Sequence, residues 1–309
     1  MNNPVRSPLI FLLSIIFAVS LISCNNGGSN IASTDVECTS STVTTESTTE
    51  MINTADVTTE SIITVETTAE KTDLTLRIGS YNIANGKMVS HAMSAIAYDI
   101  LEQDLDIVGI QEVDRLAKRS NYIDTMQLLS KYTGYQYYYY TKTKNIAGNE
   151  AGFGHEGEYG TGILSKYPIL EAESIFLYSE DYEPRALSYV KLDVNGTIIN
   201  FFNTHLTPDD EFVRYEQMGE LAEKLNGIPN CIITGDFNIG SFGEYRPLTA
   251  FMTLSCTSRG NPPTYAKNGA SIDNIIFSNE FTLIAVDSVK NDHSDHYLLW
   301  AELKIKISE

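Results

Sequence analysis

Basic residues are the first shortage in this 309-residue chain: 21 Lys and Arg stand against 40 Asp and Glu, a net charge of −19. Non-specific nucleic-acid binding relies on Lys and Arg neutralising phosphates, so the balance argues against that class. A phosphate site neutralised locally, by a few bases or a metal, remains compatible with it. Cysteine is scarce as well: Cys24, Cys38, Cys231 and Cys256, with no Cys-x-x-Cys pair. That excludes a disulfide-stapled miniprotein and leaves zinc little to bind. His-Glu-x-x-His, Gly-x-Ser-x-Gly and Walker A patterns are missing, and with them the zinc-protease, serine-hydrolase and P-loop signatures. No apolar run reaches the roughly 20 residues of a membrane span. No repeat of fixed period marks a solenoid.

The chain begins with a 14-residue apolar run over 9–22, LIFLLSIIFAVSLI, behind Arg6. This fits the core of a secretory signal. The run ends in Leu21-Ile22-Ser23-Cys24, which resembles a bacterial lipobox; such a cysteine is lipidated and becomes the mature N-terminus. An ordinary signal peptide with a chance cysteine is the plainer alternative. Residues 25–72 follow as a low-complexity stretch, with 14 Thr and 5 Ser within 31–72 and no aromatics. Such a segment cannot bury enough apolar surface to offset its chain entropy, so it reads as a disordered tether. The expected organisation is a lipoprotein signal at 1–24, a tether at 25–72 and one catalytic domain at 73–309. The expected location is outside the cytoplasmic membrane, held to a bacterial membrane by the lipid on Cys24.

Residues 1–72 carry eight acids and two bases. Removing these from the totals of 40 and 21 leaves 32 and 19, so the domain itself has a net charge of −13. Its hydrophobic periodicity predicts strands at 74–81, 106–110, 135–141, 160–165, 175–178, 230–234, 274–277, 283–286 and 297–307. Helical spacing marks 91–103, 121–132 and 209–225, the last with Pro208-Asp209-Asp210 at its start. Asn195-Gly196 between 187–194 and 197–204 is a type I′ hairpin signal. Hairpins with interspersed helices indicate α+β, sheet packed on sheet with helices outside. Cys231 reads as a buried strand residue, and a 231–256 disulfide is left open.

Several strands meet polar clusters at one end: Asn82, Gln111-Glu112, Thr204-His205, Gly235-Asp236-Phe237-Asn238, Asp273-Asn274 and Ser294-Asp295-His296. Taken singly, each fits a turn, a capping residue or a solvated loop. Rigid strands that present polar groups from one edge also make a preorganised site.

The order of these clusters resembles the endonuclease/exonuclease/phosphatase superfamily of metal-dependent phosphohydrolases. The resemblance spans about 74–306 and rests on Ser80-Tyr81-Asn82-Ile83, Gln111-Glu112-Val113-Asp114, the 159–168 segment YGTGILSKYP, Asn203-Thr204-His205-Leu206, Gly235-Asp236-Phe237-Asn238, Ile272-Asp273-Asn274 and Ser294-Asp295-His296. It implies a four-layer αββα sandwich of two mainly antiparallel sheets, with the site at one edge. It further implies Glu112 as the main metal ligand with Asn82 beside it and Asp295 as a second contact. Asp236 would activate water, and Asn238 would hold that water or a phosphate oxygen. Asp273 would orient His296, which would contact the phosphoryl oxygen or act as base. His205 would stabilise phosphate or protonate the leaving group. Arg185 is a candidate phosphate clamp, because guanidinium matches phosphate geometry. The implied cofactor is Mg²⁺, with Mn²⁺ as the alternative.

The expected protein is therefore a monomeric phosphodiesterase or phosphatase acting on small phosphate esters or lipid head groups. A secreted nuclease and a non-catalytic binding protein are the competing readings. Relatives commonly carry Asn-Ala where this chain has Thr161-Gly162, which leaves substrate contacts near 159–162 open. The Gly-rich loop 148–160 is expected to rim the cleft.

Overall fold

The computed structural model describes residues 74–146, 156–257 and 261–305. The signal and tether at 1–72, including Cys24 and Cys38, lie outside the described residues, as do residues 148–155 of the Gly-rich loop. Among the described residues, no helix is long and apolar enough to cross a membrane.

Two six-stranded sheets form the centre. The first runs β11 (Phe281–Val289), β12 (Leu298–Ile305), β1 (Leu74–Asn82), β2 (Ile107–Arg115), β4 (Gly157–Ser165), β3 (Tyr137–Ile146). The second runs β5 (Ile169–Leu177), β6 (Arg185–Val194), β7 (Thr197–His205), β8 (Cys231–Asp236), β10 (Asp273–Ser278), β9 (Met252–Leu254). Each is mixed: β1 pairs with β2 in parallel, and β7 with β8, while the other pairings are antiparallel. The mixture follows from the connections, since β1–β2 and β7–β8 are the neighbouring strands whose link crosses over through a helix.

Helices α1 (Ala92–Glu102) and α2 (Thr125–Thr133) cover the first sheet, burying Ile96, Ile100, Met126 and Leu129 against Tyr81, Val108 and Ile110. Helices α3 (Glu211–Leu225) and α4 (Arg246–Thr249) cover the second, with Met218, Leu221 and Leu248 against Phe202, Ile233 and Ile276. Asp124 and Asp210 cap α2 and α3 with side-chain oxygens that accept from backbone N–H groups, consistent with acids favouring helix starts. The result is the expected αββα sandwich. The 195–196 hairpin is also as expected: Asn195 and Gly196 take φ of 53° and 86°, the pair of left-handed conformations that a type I′ turn needs.

Strand alternation explains where the site lies. On β1 the face toward the second sheet carries Leu76, Ile78, Ser80 and then Asn82. On β7 it carries Ile199, Phe201, Asn203 and then His205; on β8, Ile232, Thr234 and then Asp236. Each strand thus grades from an apolar layer through a polar one to a site residue. The apolar part is a fully buried cluster, in which each Leu, Ile or Phe contributes about 1.5–3 kcal/mol. In the polar part, Gln111 Nε2 donates to Asn203 Oδ1 at 2.6 Å, and Thr234 Oγ1 donates to the same oxygen at 3.1 Å. Asn203 Nδ2 donates to the Ile110 and Gly162 carbonyls, at 3.0 and 2.9 Å. Gly109 has no side chain because the sheets touch there: a Cβ would stand 2.0 Å from Thr234 Oγ1.

Three sequence readings change. The strand expected over 106–110 runs on to Arg115, through a bulge between Ile110 and Val113. α4 and β9 were not anticipated, since four and three residues are too few to show a period. Cys231 and Cys256 are buried free thiols, with no disulfide between them. The Thr161-Gly162 departure sits at packing positions: Thr161 Oγ1 meets Ser188 Oγ at 2.8 Å between the sheets, and Gly162 abuts Met126.

Candidate active site

The bulge in β2 aims the carboxylate expected to bind metal. Without it, Gln111 and Glu112 would point to opposite faces. The extra residue lets Gln111 face the second sheet while Glu112 reaches the cavity. Glu112 takes a left-handed φ of 54°, unusual for a residue with a Cβ and costing on the order of 1 kcal/mol or more. Asn85 Nδ2 donates to the Glu112 carbonyl at 3.1 Å and supports the bulge.

Asn82 ends β1 beside it. Its Nδ2 donates to Glu112 Oε1 at 3.2 Å and to Asp236 Oδ2 at 3.0 Å, while its Oδ1 accepts from Ala84 N–H at 3.1 Å. In this arrangement Asn82 orients two carboxylates. The oxygen expected to reach the ion faces the backbone instead.

Asp236 is 1 % exposed. Besides Asn82, it receives Asn238 N–H at 3.0 Å, and Asn238 Nδ2 is anchored to the Leu206 carbonyl at 3.0 Å. Burial and the neighbouring Asp273 push the Asp236 carboxyl up; His296 and these hydrogen bonds only partly offset them. Two histidines flank Asp236, with His205 Nε2 at 3.5 Å and His296 Nε2 at 3.6 Å from Oδ2.

The two rings are set oppositely. His296 Nδ1 lies 2.9 Å from Asp273 Oδ2, the expected pair. Burial works against its cation, but Asp273, Asp236 and Asp295 outweigh it and raise the ring to about 10. His205 Nδ1 instead meets Arg185 NH1 at 3.0 Å. Burial, then the Arg185 and His296 cations, push it well below the ordinary histidine range. Environments that drive like groups apart mark acid and base assignments.

These residues line one cavity of about 400 Å³, walled by Glu112, Arg185, His205, Asp236, Asn238, Asp295 and His296. Asp273 lies behind His296, and Asn82 behind the two carboxylates. Every expected site residue of the domain is thus brought together at one edge of the sandwich. Tyr265, Tyr159, Glu183 and Asp209 also line the cavity and were not anticipated as site residues. Tyr265 bridges to His296 in the backbone and tilts its ring over the imidazole, centroids 5.1 Å apart. Glu183 could have been suspected, two residues before Arg185; Tyr265 sits in a loop with no local signal. Arg214 and Gln217 hold the 207–208 turn from behind: Arg214 NH1 donates to the Thr207 carbonyl and Gln217 Oε1 accepts from Thr207 N–H.

The donors suit a hard divalent cation. Glu112 and Asp295 offer carboxylate oxygens to the cavity, Asp273 Oδ1 is buried without a hydrogen-bond partner, and ligating atoms of Asp236, Asp273 and His296 come within 4.8 Å of one another. Oxygen-rich sets of this kind match Mg²⁺ or Mn²⁺ better than zinc.

Residues 79–296 match the Endonuclease/Exonuclease/phosphatase family, and the chain belongs to it. Members of this family are divalent-metal-dependent hydrolases of phosphate esters. Solved structures agree on the fold. An endonuclease/exonuclease/phosphatase from Beutenbergia cavernae superposes with a TM-score of 0.64 at 20% identity, covering 75% of this chain and 72% of that one. The human Nocturnin catalytic domain with bound sulfate gives 0.60 at 20%, covering 76% and 96%. A mannosyl-6-phosphatase from Bacteroides thetaiotaomicron gives 0.52 at 20%, covering 74% and 99%. A search of curated protein sequences found no match.

Proposed function

We propose that this protein is a Mg²⁺-dependent hydrolase of small phosphate esters or phosphorylated lipid head groups, acting outside the cytoplasmic membrane on a lipid anchor. One observation carries the enzymatic reading: the buried carboxylate of Asp236 stands between the Nε2 atoms of His205 and His296, 3.5 and 3.6 Å from its Oδ2, in a single cavity beside Glu112.

Glu112 and Asp295 would hold the cation, with Asn82 keeping Glu112 turned toward it. Bound Mg²⁺ supplies positive charge that polarises the phosphoryl group and steadies the leaving oxygen. Asp236 accepts the proton of the attacking water, and its raised affinity for protons suits a base working near neutrality. Asn238, fixed through Leu206, positions that water. His296, cationic and held by Asp273, donates from Nε2 to a phosphoryl oxygen as negative charge grows. His205 donates from Nε2 without carrying charge.

The cavity volume fits a head group or sugar phosphate rather than a long polymer, and Asp209 at its wall opposes a polyanionic strand. The mannosyl-6-phosphatase among the fold neighbours makes a sugar phosphate a natural probe. The anchor rests on the lipobox-like Leu21–Cys24 segment.

The test is turnover by the Mg²⁺-loaded protein of bis-p-nitrophenyl phosphate, p-nitrophenyl phosphate, mannose 6-phosphate, inositol phosphates, sphingomyelin, DNA and RNA. Preference for one of the small or lipid esters supports the reading. DNA or RNA cleavage far above all of them would establish a nuclease. No turnover of any substrate would leave a binding protein. For the anchor, Cys24→Ala should move the protein from the membrane to the soluble fraction; unchanged retention refutes lipidation there.

A further inference from the structure

Arg185 does more than mark the cavity wall. Its guanidinium is buried and its NH1 is committed, 3.0 Å from His205 Nδ1 and 3.0 Å from Glu183 Oε1. Glu183 Oε2 is in turn paired with Lys144 of β3, so the chain Lys144–Glu183–Arg185–His205 crosses from the first sheet to the second. A clamp free to seize a phosphate would keep its fork open to the cavity. Here NH1 is already taken by an imidazole and a carboxylate, and Nε is buried without a hydrogen-bond partner.

Arginine has five N–H donors, no lone pair to offer and no accessible neutral form. A ring nitrogen at hydrogen-bond distance from it must therefore be the acceptor. We propose that Arg185 is a positioning residue: it holds His205 as the tautomer with a bare Nδ1 and the proton on Nε2. The downward push on the His205 pKa by burial and Arg185 agrees with this geometry. The Nε2–H is then directed to the cavity side, where Asp236 Oδ2 lies at 3.5 Å.

The consequence is a division of labour between two identical side chains. Asp273 can only accept, so His296 carries its proton on Nδ1; Arg185 can only donate, so His205 cannot. His205 offers the reaction an uncharged donor on a rigid mount. With Arg185 in place it is not an imidazolium, so it does not protonate the leaving group as a cationic acid. This deepens the proposed hydrolase reading and depends on that reading only for its kinetic arm.

The test is ¹⁵N NMR of the Mg²⁺-loaded full chain labelled at histidine, with His205→Gln used to assign the signal. The expected spectrum shows an unprotonated Nδ1 and a protonated Nε2 for His205 in the wild type. A protonated Nδ1 overturns the proposal whether or not any variant folds. Arg185→Met should produce mixed tautomers and lower kcat on bis-p-nitrophenyl phosphate by roughly 10- to 100-fold, with KM nearly unchanged. Arg185→Lys, which also only donates, should restore the single tautomer and most of kcat. A Met variant that keeps the wild-type tautomer but loses KM would make Arg185 a phosphate clamp and refute the positioning role. Wild-type protein with no turnover but the expected spectrum would sink the hydrolase reading and leave this inference standing.

Discussion

Asp273→Asn isolates charge from geometry at the His296 pair. The amide oxygen can still accept from Nδ1–H, so the ring stays in place. What disappears is the anion 2.9 Å from it, the largest influence holding the buried ring protonated to about 10. Asp236 and Asp295 remain as partial support, while burial continues to oppose the cation. A return to around 7 is expected, a change of about 3 units or ~4 kcal/mol at about 1.36 kcal/mol per unit. The sign follows directly. His296 is protonated in wild type until pH approaches about 10, so its contribution is lost only on the alkaline side. In the variant the loss begins near neutrality. With kcat measured on a small phosphodiester in saturating Mg²⁺, the deficit should be slight at pH 6, about 10-fold at pH 8 and about 100-fold at pH 9. The same factor at every pH would show that Asp273 acts through ring placement alone. No deficit at any pH would remove the His296 cation from the mechanism.

The remaining expectations concern metal and frame. Glu112→Gln should lower kcat by roughly 10³-fold and abolish the rise in unfolding temperature that Mg²⁺ gives the wild type; chelation should silence the wild type reversibly. Gly109→Ala forces a methyl to within 2.0 Å of Thr234 Oγ1 and 2.5 Å of Asn203 Oδ1, so thermal unfolding should show a loss of about 1–3 kcal/mol together with reduced activity. Asp99 accepts from Tyr81 Oη and Asn291 Nδ2 and pairs with His293 Nδ1, tying α1 to the loop that carries Asp295 and His296. Asp99→Ala should cost about 2–4 kcal/mol in urea unfolding, because buried donors lose their acceptor.

Period-two alternation and polar strand ends made much of the site legible in the sequence. Asp236, His205 and Asp273 each sit where an apolar alternation breaks into a polar residue, and turn chemistry placed the 195–196 hairpin. Glu112 was found as a residue but not as a conformation, since a bulge exists only relative to the partner strand β4. The bond from Arg185 to His205 was hidden because it arises from the pairing of β6 with β7, which brings residues 20 apart in the chain into contact. Tyr265 reaches His296 only through a bridge between two loops. Its 31-residue separation carries no periodic signal.

The graded face of the strands also explains why precision is concentrated at this edge. Site residues come from both sheets: Asn82 and Glu112 from the first, His205, Asp236 and Asp273 from the second. An apolar layer alone holds two sheets together but tolerates small slides, because hydrophobic burial has no direction. The layer next to the site is directional. Gln111 and Thr234, from opposite sheets, both donate to Asn203 Oδ1, and Asn203 in turn donates to two carbonyls of the first sheet. A slide that broke one of these buried bonds would cost about 1–3 kcal/mol for each group left unpaired. A displacement of an ångström would break several at once. The Asn82 bond to Asp236, which crosses the same gap at 3.0 Å, therefore rests on a layer that resists displacement steeply. The apolar end supplies most of the cohesion, and the polar strip beside the site sets the alignment on which the distances in the cavity depend.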